Sequence, residues 1–248
     1  MSAPIIPGAE PESIEGGPNG ALVVHGFTGN PSSMRGIAHA LAAAGFTVEL
    51  PLLPGHGTSV ADMQATSWSD WLGAAEDTYQ RLAARVESVV IVGLSMGGAI
   101  TCWLAAEHPE VAGIVAINAV VSEPPGIVEL VQGLIDDGQE VMGGIGSDVA
   151  DPAVQESAYP ETPLRPLLTM AAAAGELQQR LGQITCPVLV LNSPQDHVVT
   201  PDNSDILAAS VAGPVERVTL ERSYHVATVD FDRDLVERCV VDFARKVV

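Results

Sequence analysis

The pentapeptide "GLSMG", Gly93 to Gly97, sets one serine between two glycines, directly after the β-branched run "SVVIV" and directly before the Ala-rich helical pattern "GGAITCWLAAE". G-x-S-x-G between a strand and a helix is the nucleophile elbow, a strained turn that exposes a hydroxyl, with glycine needed where a Cβ would clash between the two elements. The strand is expected to end at Val92 and the helix to start at Met96. The pattern alone is modest evidence, because it arises by chance in roughly one or two of ten chains of this length and glycine content. A serine hydroxyl is also a poor nucleophile until a neighbouring base takes its proton. A histidine is required, with a carboxylate to orient it.

Six histidines are available. His225, in "ERSYHVATVD", follows the last expected strand, where loops carrying chemistry gather in open α/β sheets, and Asp196, in "LNSPQDHVV", follows the preceding strand in the same way. Asp202 and Asp151 are the fallback carboxylates. His108 reads as a helix-end residue, His39 as a helix-surface residue, and His197, adjacent to Asp196, as pointing the other way. A developing oxyanion needs donors, and the turn in "VVHGFTGNP" lets backbone N–H groups approach a substrate. Phe27 is the expected donor there, with Met96, the residue after the serine, as the second. His25 is read as a residue that pins this turn, and His56 as part of a constrained loop in "LPLLPGHG".

These residues need a scaffold that gathers them. Short β-branched runs, "ALVV", "FTVEL", "SVVIVG", "AGIVAIN", "PVLVLNS" and "VERVTLE", alternate with segments of helical period, which indicates an α/β fold with a parallel sheet covered on both faces. In the last helix Leu235, Val236, Cys239, Val240 and Phe243 form one apolar stripe that should pack on the sheet. From about 122 to 183 the alternation stops. Glycines in "QGLIDDGQEVMGGIGSD" and prolines in "YPETPLRP" interrupt weak helical patches, and no convincing strand is visible. The segment reads as an inserted cap rather than a disordered loop, because Leu134, Ile135, Val141, Met142, Leu167 and Leu168 give it apolar material to bury. The 248 residues suffice for one core, so one domain is expected over 1–248.

The net charge of −20 repels phosphate backbones and anionic headgroups, which argues against nucleic-acid binding. Three cysteines, Cys102, Cys186 and Cys239, lie within apolar patterns and read as reduced thiols. The opening "MSAPIIPGAEPESIEGG" has no lysine, no arginine and no long apolar stretch, so no secretory leader is expected, and no later run is long enough to span a membrane. A cytoplasmic location follows as an expectation. No metal-ligand spacing is present, and no cofactor is implied.

The combination "HGFTGNP", "LPLLPGHGTS", "GLSMGG", "DHVVTPDNSDIL" and "RSYHVATVDFD" resembles the bacterial monoacylglycerol lipases and small carboxylesterases of the α/β-hydrolase superfamily, over nearly the whole chain from about Gly20 and least closely in the cap. The resemblance implies a catalytic triad of Ser95, Asp196 and His225, in the chain order of that superfamily, with Phe27 and Met96 as the oxyanion hole. It also implies hydrolysis of monoacylglycerols through an acyl-enzyme, a neutral lipid ester as partner, and at most transient contact of the cap with lipid. Glu156 precedes "AYPETP", which resembles the corresponding part of those lipases, and its carboxylate is a candidate acceptor for the glycerol hydroxyls. The residues before "ALVV" are too few and too rich in Gly and Pro for the two leading strands of the full superfamily sheet, so about six to seven strands are expected. The alternatives are a short-chain carboxylesterase or thioesterase with the same triad, the acyl-CoA substrate disfavoured by the charge, and a non-catalytic binding module on the same fold.

Overall fold

A computed structural model of the chain describes residues 3–144 and 146–248. Its sheet is built from β1 (Glu12–Ile14), β2 (Asn19–Val24), β3 (Thr47–Leu50), β4 (Ser88–Leu94) and β5 (Gly113–Ile117), followed after an insertion by β8 (Val188–Asn192) and β9 (Val215–Thr219). The insertion itself carries a hairpin, β6 (Val141–Gly143) and β7 (Glu161–Pro163). The seven-stranded order is β1-β3-β2-β4-β5-β8-β9, parallel throughout except for β1, which runs antiparallel to β3.

Successive residues of the central strands face opposite layers. Leu22, Val24, Ile91, Ile114 and Val190 pack with α3 (Trp68–Ala83), α4 (Met96–Glu107) and α6 (Leu164–Arg180). Ala21, Val23, Val90, Val92, Val115 and Leu191 pack with α1 (Arg35–Ala43) and α8 (Arg233–Val247). Both faces being covered is why these strands read as unbroken apolar runs. In α8 the stripe buries Val236, Val240 and Phe243 against the sheet, as its spacing requires. The remaining helices are the short α2 (Val60–Gln64), α5 (Ile127–Asp136) in the insertion, and α7 (Asp202–Ser210) after β8.

The seven strands match the expected six to seven, with one short leading strand, β1, paired on the edge. Two details differ from expectation. β4 continues to Leu94, because β5 pairs with it as far as Leu94↔Ile117. The insertion, expected to lack strands, contains β6 and β7, whose antiparallel pairing supplies the partners that "VMG" and "ETP" do not advertise in their sequence.

The register places the chemistry at one edge. Leu94, Ile117, Leu191 and Val218 lie abreast at the carboxyl end of the sheet. The chain leaving each of these strands enters the same cluster of loops.

Candidate active site

Ser95 follows β4 in the left-handed region, at φ 57° and ψ −118°, between the strand and α4. Such a conformation costs of order 1–3 kcal/mol for a residue with a side chain, so the surroundings must enforce it. They do: Ser95 N–H donates to the Ile117 carbonyl at 2.9 Å, and α4, buried from Met96 to Ala105, is wedged against the sheet. A Cβ at Gly93 would strike the Gly97 carbonyl, and one at Gly97 would strike the Val24 carbonyl. Both glycines of the pentapeptide are therefore needed for the close crossing of strand and helix.

The loop after β8 carries Asp196 and the loop after β9 carries His225. The two side chains meet, with Nδ1 of His225 2.7 Å from Oδ2 of Asp196, and both are almost wholly buried. The other carboxylate oxygen of Asp196 accepts the backbone N–H groups of Val198 and Val199, each at 2.8 Å. Asp196 is thus an acceptor on both oxygens, which fixes the imidazole with Nδ1 as its donor nitrogen and leaves Nε2 free to act as base. The fallback carboxylates lie elsewhere. Asp202 is exposed in the first turn of α7, and Asp151 accepts the Ala153 N–H.

Phe27 and Met96 are brought to the serine from two sides. Met96 is the first residue of α4, so its N–H has no acceptor within the helix, and the helix dipole favours negative charge there. A Cβ at Gly26, next to Phe27, would lie 3.4 Å from the Ser95 Cβ. The turn is shaped by Thr28, at φ 61°, whose hydroxyl donates to the Phe27 carbonyl at 2.7 Å. Below it, His25 donates through Nδ1 to the Gly26 carbonyl and accepts the Leu53 N–H on Nε2. Burial pushes the His25 imidazole down to about 4 and that of His56 to about 3, so both are neutral where a histidine base would work. The rings of His25, His56, Phe27 and Trp71 pack edge to face around the turn.

The remaining histidines are engaged away from Ser95. His39 meets Glu12, His108 bridges Glu76 and Glu110, and His197 turns to Asp148. Glu156 is drawn inward instead. A Cβ at Gly29 would lie 3.1 Å from its Oε1, and burial pushes its carboxyl up to about 7, opposed by the charge of the nearby His225. Among the described residues, no group of three or more His, Cys, Asp or Glu side chains is placed to ligate a metal ion.

Residues 21–238 match the model of the Alpha/beta hydrolase family. The chain belongs to this α/β-hydrolase family. It is 44% identical over 246 residues to the thermostable monoacylglycerol lipase of Bacillus sp. (strain H-257), covering 98% of this chain and 97% of that one. It is 27% identical over 240 residues to a carboxylesterase of Bacillus subtilis (strain 168), covering 96% and 97%. A solved structure from work on two metagenome-derived lipolytic enzymes, LipS and LipT, superposes with a TM-score of 0.93 at 40% identity, over 98% of this α/β hydrolase and 100% of the other chain. The Paleococcus ferrophilus monoacylglycerol lipase superposes at 0.82 with 18% identity, over 96% and 98%, a likeness of fold. The α/β hydrolase contains no described helix long and apolar enough to cross a membrane.

Two residues of the site carry no motif. Asn118 and Asp148 bond to the His225 loop, and only the left-handed backbone of Asn118, at φ 43°, sets either apart. Asparagine tolerates that region better than most residues do, so its type at a strand end was the one available signal.

Proposed function

We propose that this α/β hydrolase is a serine esterase that cleaves monoacylglycerols to glycerol and fatty acid, with Ser95 as nucleophile, His225 as base, Asp196 as its orienting carboxylate, and the N–H groups of Phe27 and Met96 as oxyanion donors. The observation that carries this reading is the buried Asp196–His225 pair at 2.7 Å, held at the same sheet edge as a serine in a strained strand-to-helix turn. His225 takes the Ser95 proton as Oγ attacks the acyl carbon, the carbonyl oxygen gains the negative charge, and collapse expels the glycerol oxygen, which receives that proton. A water molecule then repeats the sequence on the acyl-enzyme, regenerating Ser95 and releasing the acid. The lipase relative at 44% identity supports the choice of a monoacylglycerol, and the half-buried Glu156 beside the oxyanion turn supports a hydrogen-bonding site for glycerol. Burying hydroxyls unpaired would cost about 1–3 kcal/mol each.

The chain is read as one domain with a cap inserted at about 122–183, of which α6 also packs on the core beside α4. Its three free cysteines suit a reducing compartment, and we assign it to the cytoplasm on that ground. A broad carboxylesterase is the second reading, favoured by the relative at 27% identity. Turnover of monoacylglycerols of rising chain length, compared with diacylglycerols, triacylglycerols, soluble p-nitrophenyl esters and acyl-CoA, separates the two. Monoacylglycerols should be preferred, and equal turnover of all simple esters would favour the second reading. Ser95→Ala should abolish hydrolysis and labelling by a fluorophosphonate while leaving the thermal transition in place. Retained turnover would move the nucleophile elsewhere.

A further inference from the structure

The loop that carries His225 lies outside the sheet ladder, so the backbone groups of that residue need partners from elsewhere. Side chains from two distant parts of the chain supply them. From the end of β5, Asn118 Nδ2 donates to the His225 carbonyl at 2.8 Å. From the insertion, Asp148 Oδ2 accepts the His225 N–H at 3.1 Å.

Each of these side chains also grips the loop that carries Asp196. Asn118 Oδ1 accepts the Ser193 N–H at 2.8 Å, and the Ser193 hydroxyl donates to the Tyr224 carbonyl at 2.8 Å. Asp148 accepts the His197 N–H on Oδ2 at 3.1 Å and pairs through Oδ1 with His197 Nδ1 at 2.8 Å. The flanks of Asp196, three residues before it and one after it, are thereby tied to the peptide of His225 by two separate struts. Asn118 and Ser193 are buried, where a half-satisfied polar network is costly, so the inner strut holds all of its bonds or loses most of them. The outer strut belongs to the insertion, whose backbone is fixed in the same place: the Val226 N–H donates to the Asp148 carbonyl, and Asp230 accepts the N–H groups of Ala150 and Asp151.

We propose that Asn118 and Asp148 are positioning residues that set the Asp196–His225 distance, the first from the sheet and the second from the insertion. The proposal rests on the reading of His225 as the base. An imidazole aimed by one carboxylate alone can follow any shift between two irregular loops, whereas two struts across those loops remove that freedom.

The test measures kcat and KM on a soluble p-nitrophenyl ester, the rate of fluorophosphonate labelling, and the downfield proton resonance of a histidine Nδ1–H bound to a carboxylate. Asn118→Gly removes the side chain while keeping the left-handed backbone, and Asp148→Ala removes the outer strut. Each should lower kcat and labelling together, by about ten- to a hundredfold for Asn118→Gly and about tenfold for Asp148→Ala, with KM within about twofold and the downfield resonance shifted or broadened. Asp148→Asn, whose amide oxygen can still accept both backbone N–H groups, should recover most of the loss. Should Asn118→Gly fail to fold, the two Asp148 variants decide the matter. An unchanged kcat, or a fall in kcat with an unchanged resonance, overturns the struts. Ser95→Ala and His225→Gln run in parallel: turnover retained in either overturns the underlying reading and the proposal with it, whereas their inactivity beside normal strut variants overturns the proposal alone.

Discussion

The side chains of Asn118, Ser193 and Asp196 are buried and held by directional bonds, whereas α5 in the insertion buries only Val131 and leaves Leu130 55% exposed. A third kind of structure is the strap of residues 147–160, which runs from the His225 loop to the turn at Phe27–Asn30 and is tied by Asp148 at one end. At the other end Asn30 Nδ2 donates to the Ser157 hydroxyl at 3.1 Å, the Tyr159 N–H donates to the Thr28 carbonyl, and the Tyr159 hydroxyl donates to the Gly55 carbonyl. Polar bonds specify position to fractions of an ångström, while apolar packing is non-directional and tolerates sliding. The inner loops and the strap are held by directional bonds, and α5 packs on α6 and leaves Leu130 open. Substitutions in the inner loops and at Asp148, where the strap is tied to them, should therefore damage all substrates alike, those in the rest of the strap should discriminate among substrates, and those in α5 should change only how substrate is met.

The largest effect is expected at the inner edge. Asp196→Asn should lower kcat by about 10⁴ on every ester, the loss known for the equivalent change in a serine protease, because an amide favours the wrong tautomer of His225. Steady-state kinetics on one lipid and one soluble ester check this, and a loss confined to one of them would break the contrast between the inner loops and the strap.

Acid should come next. His25 and His56 are neutral in the fold, their imidazoles depressed to about 4 and about 3, chiefly by burial, whereas in the unfolded chain they take up protons below about 6.5. The stability they confer is present above that value and is lost as pH falls toward 4, at roughly 1 kcal/mol per pH unit for each imidazole. Urea unfolding at pH 7 and at pH 5 should show the loss, and His56→Gln should reduce the slope.

In the strap, Glu156→Gln should reduce monoacylglycerol hydrolysis several-fold and spare p-nitrophenyl esters. Because burial raises this carboxyl to about 7, the unfolded chain ionises first as pH rises, and the stability present below about 4.5 is lost through pH 7. The glutamine variant should therefore lose less stability between pH 5 and pH 8 than the parent. Equal losses on both ester types would remove Glu156 from the glycerol site.

The smallest effect belongs to α5. Leu130→Ser should raise KM for dispersed long-chain substrate a few-fold, since only about half of a leucine's burial energy of about 1.5–3 kcal/mol is at stake, and should leave soluble esters unaffected. Any change in kcat on the soluble ester would place α5 among the elements that set geometry.

The sequence alone determined the six longer strands: β4, β5 and β8, covered on both faces, read as unbroken apolar runs, and β2, β3 and β9 are marked by short β-branched runs even where Glu49, Glu216 and Arg217 interrupt them, and that pattern is local. It determined Gly93, Ser95 and Gly97 as an elbow for a similar reason, since the crossing of strand and helix admits no Cβ at the glycines. It pointed to Asp196 and His225 as the proposed partners of Ser95 by their places after consecutive strands, with Asp202 and Asp151 as fallbacks. Tertiary structure alone decided the rest. β1, β6 and β7 are three residues each and exist only through their pairing, so nothing in "ESI", "VMG" or "ETP" announces them. Asn118 looks like the end of an apolar strand, and Asp148 is one of nine acidic residues between 119 and 163. What sets these two apart is the residues they reach, 75–107 positions away for Asn118 and 49–77 for Asp148, and a hydrogen bond across such distances leaves no trace in the local pattern of either partner.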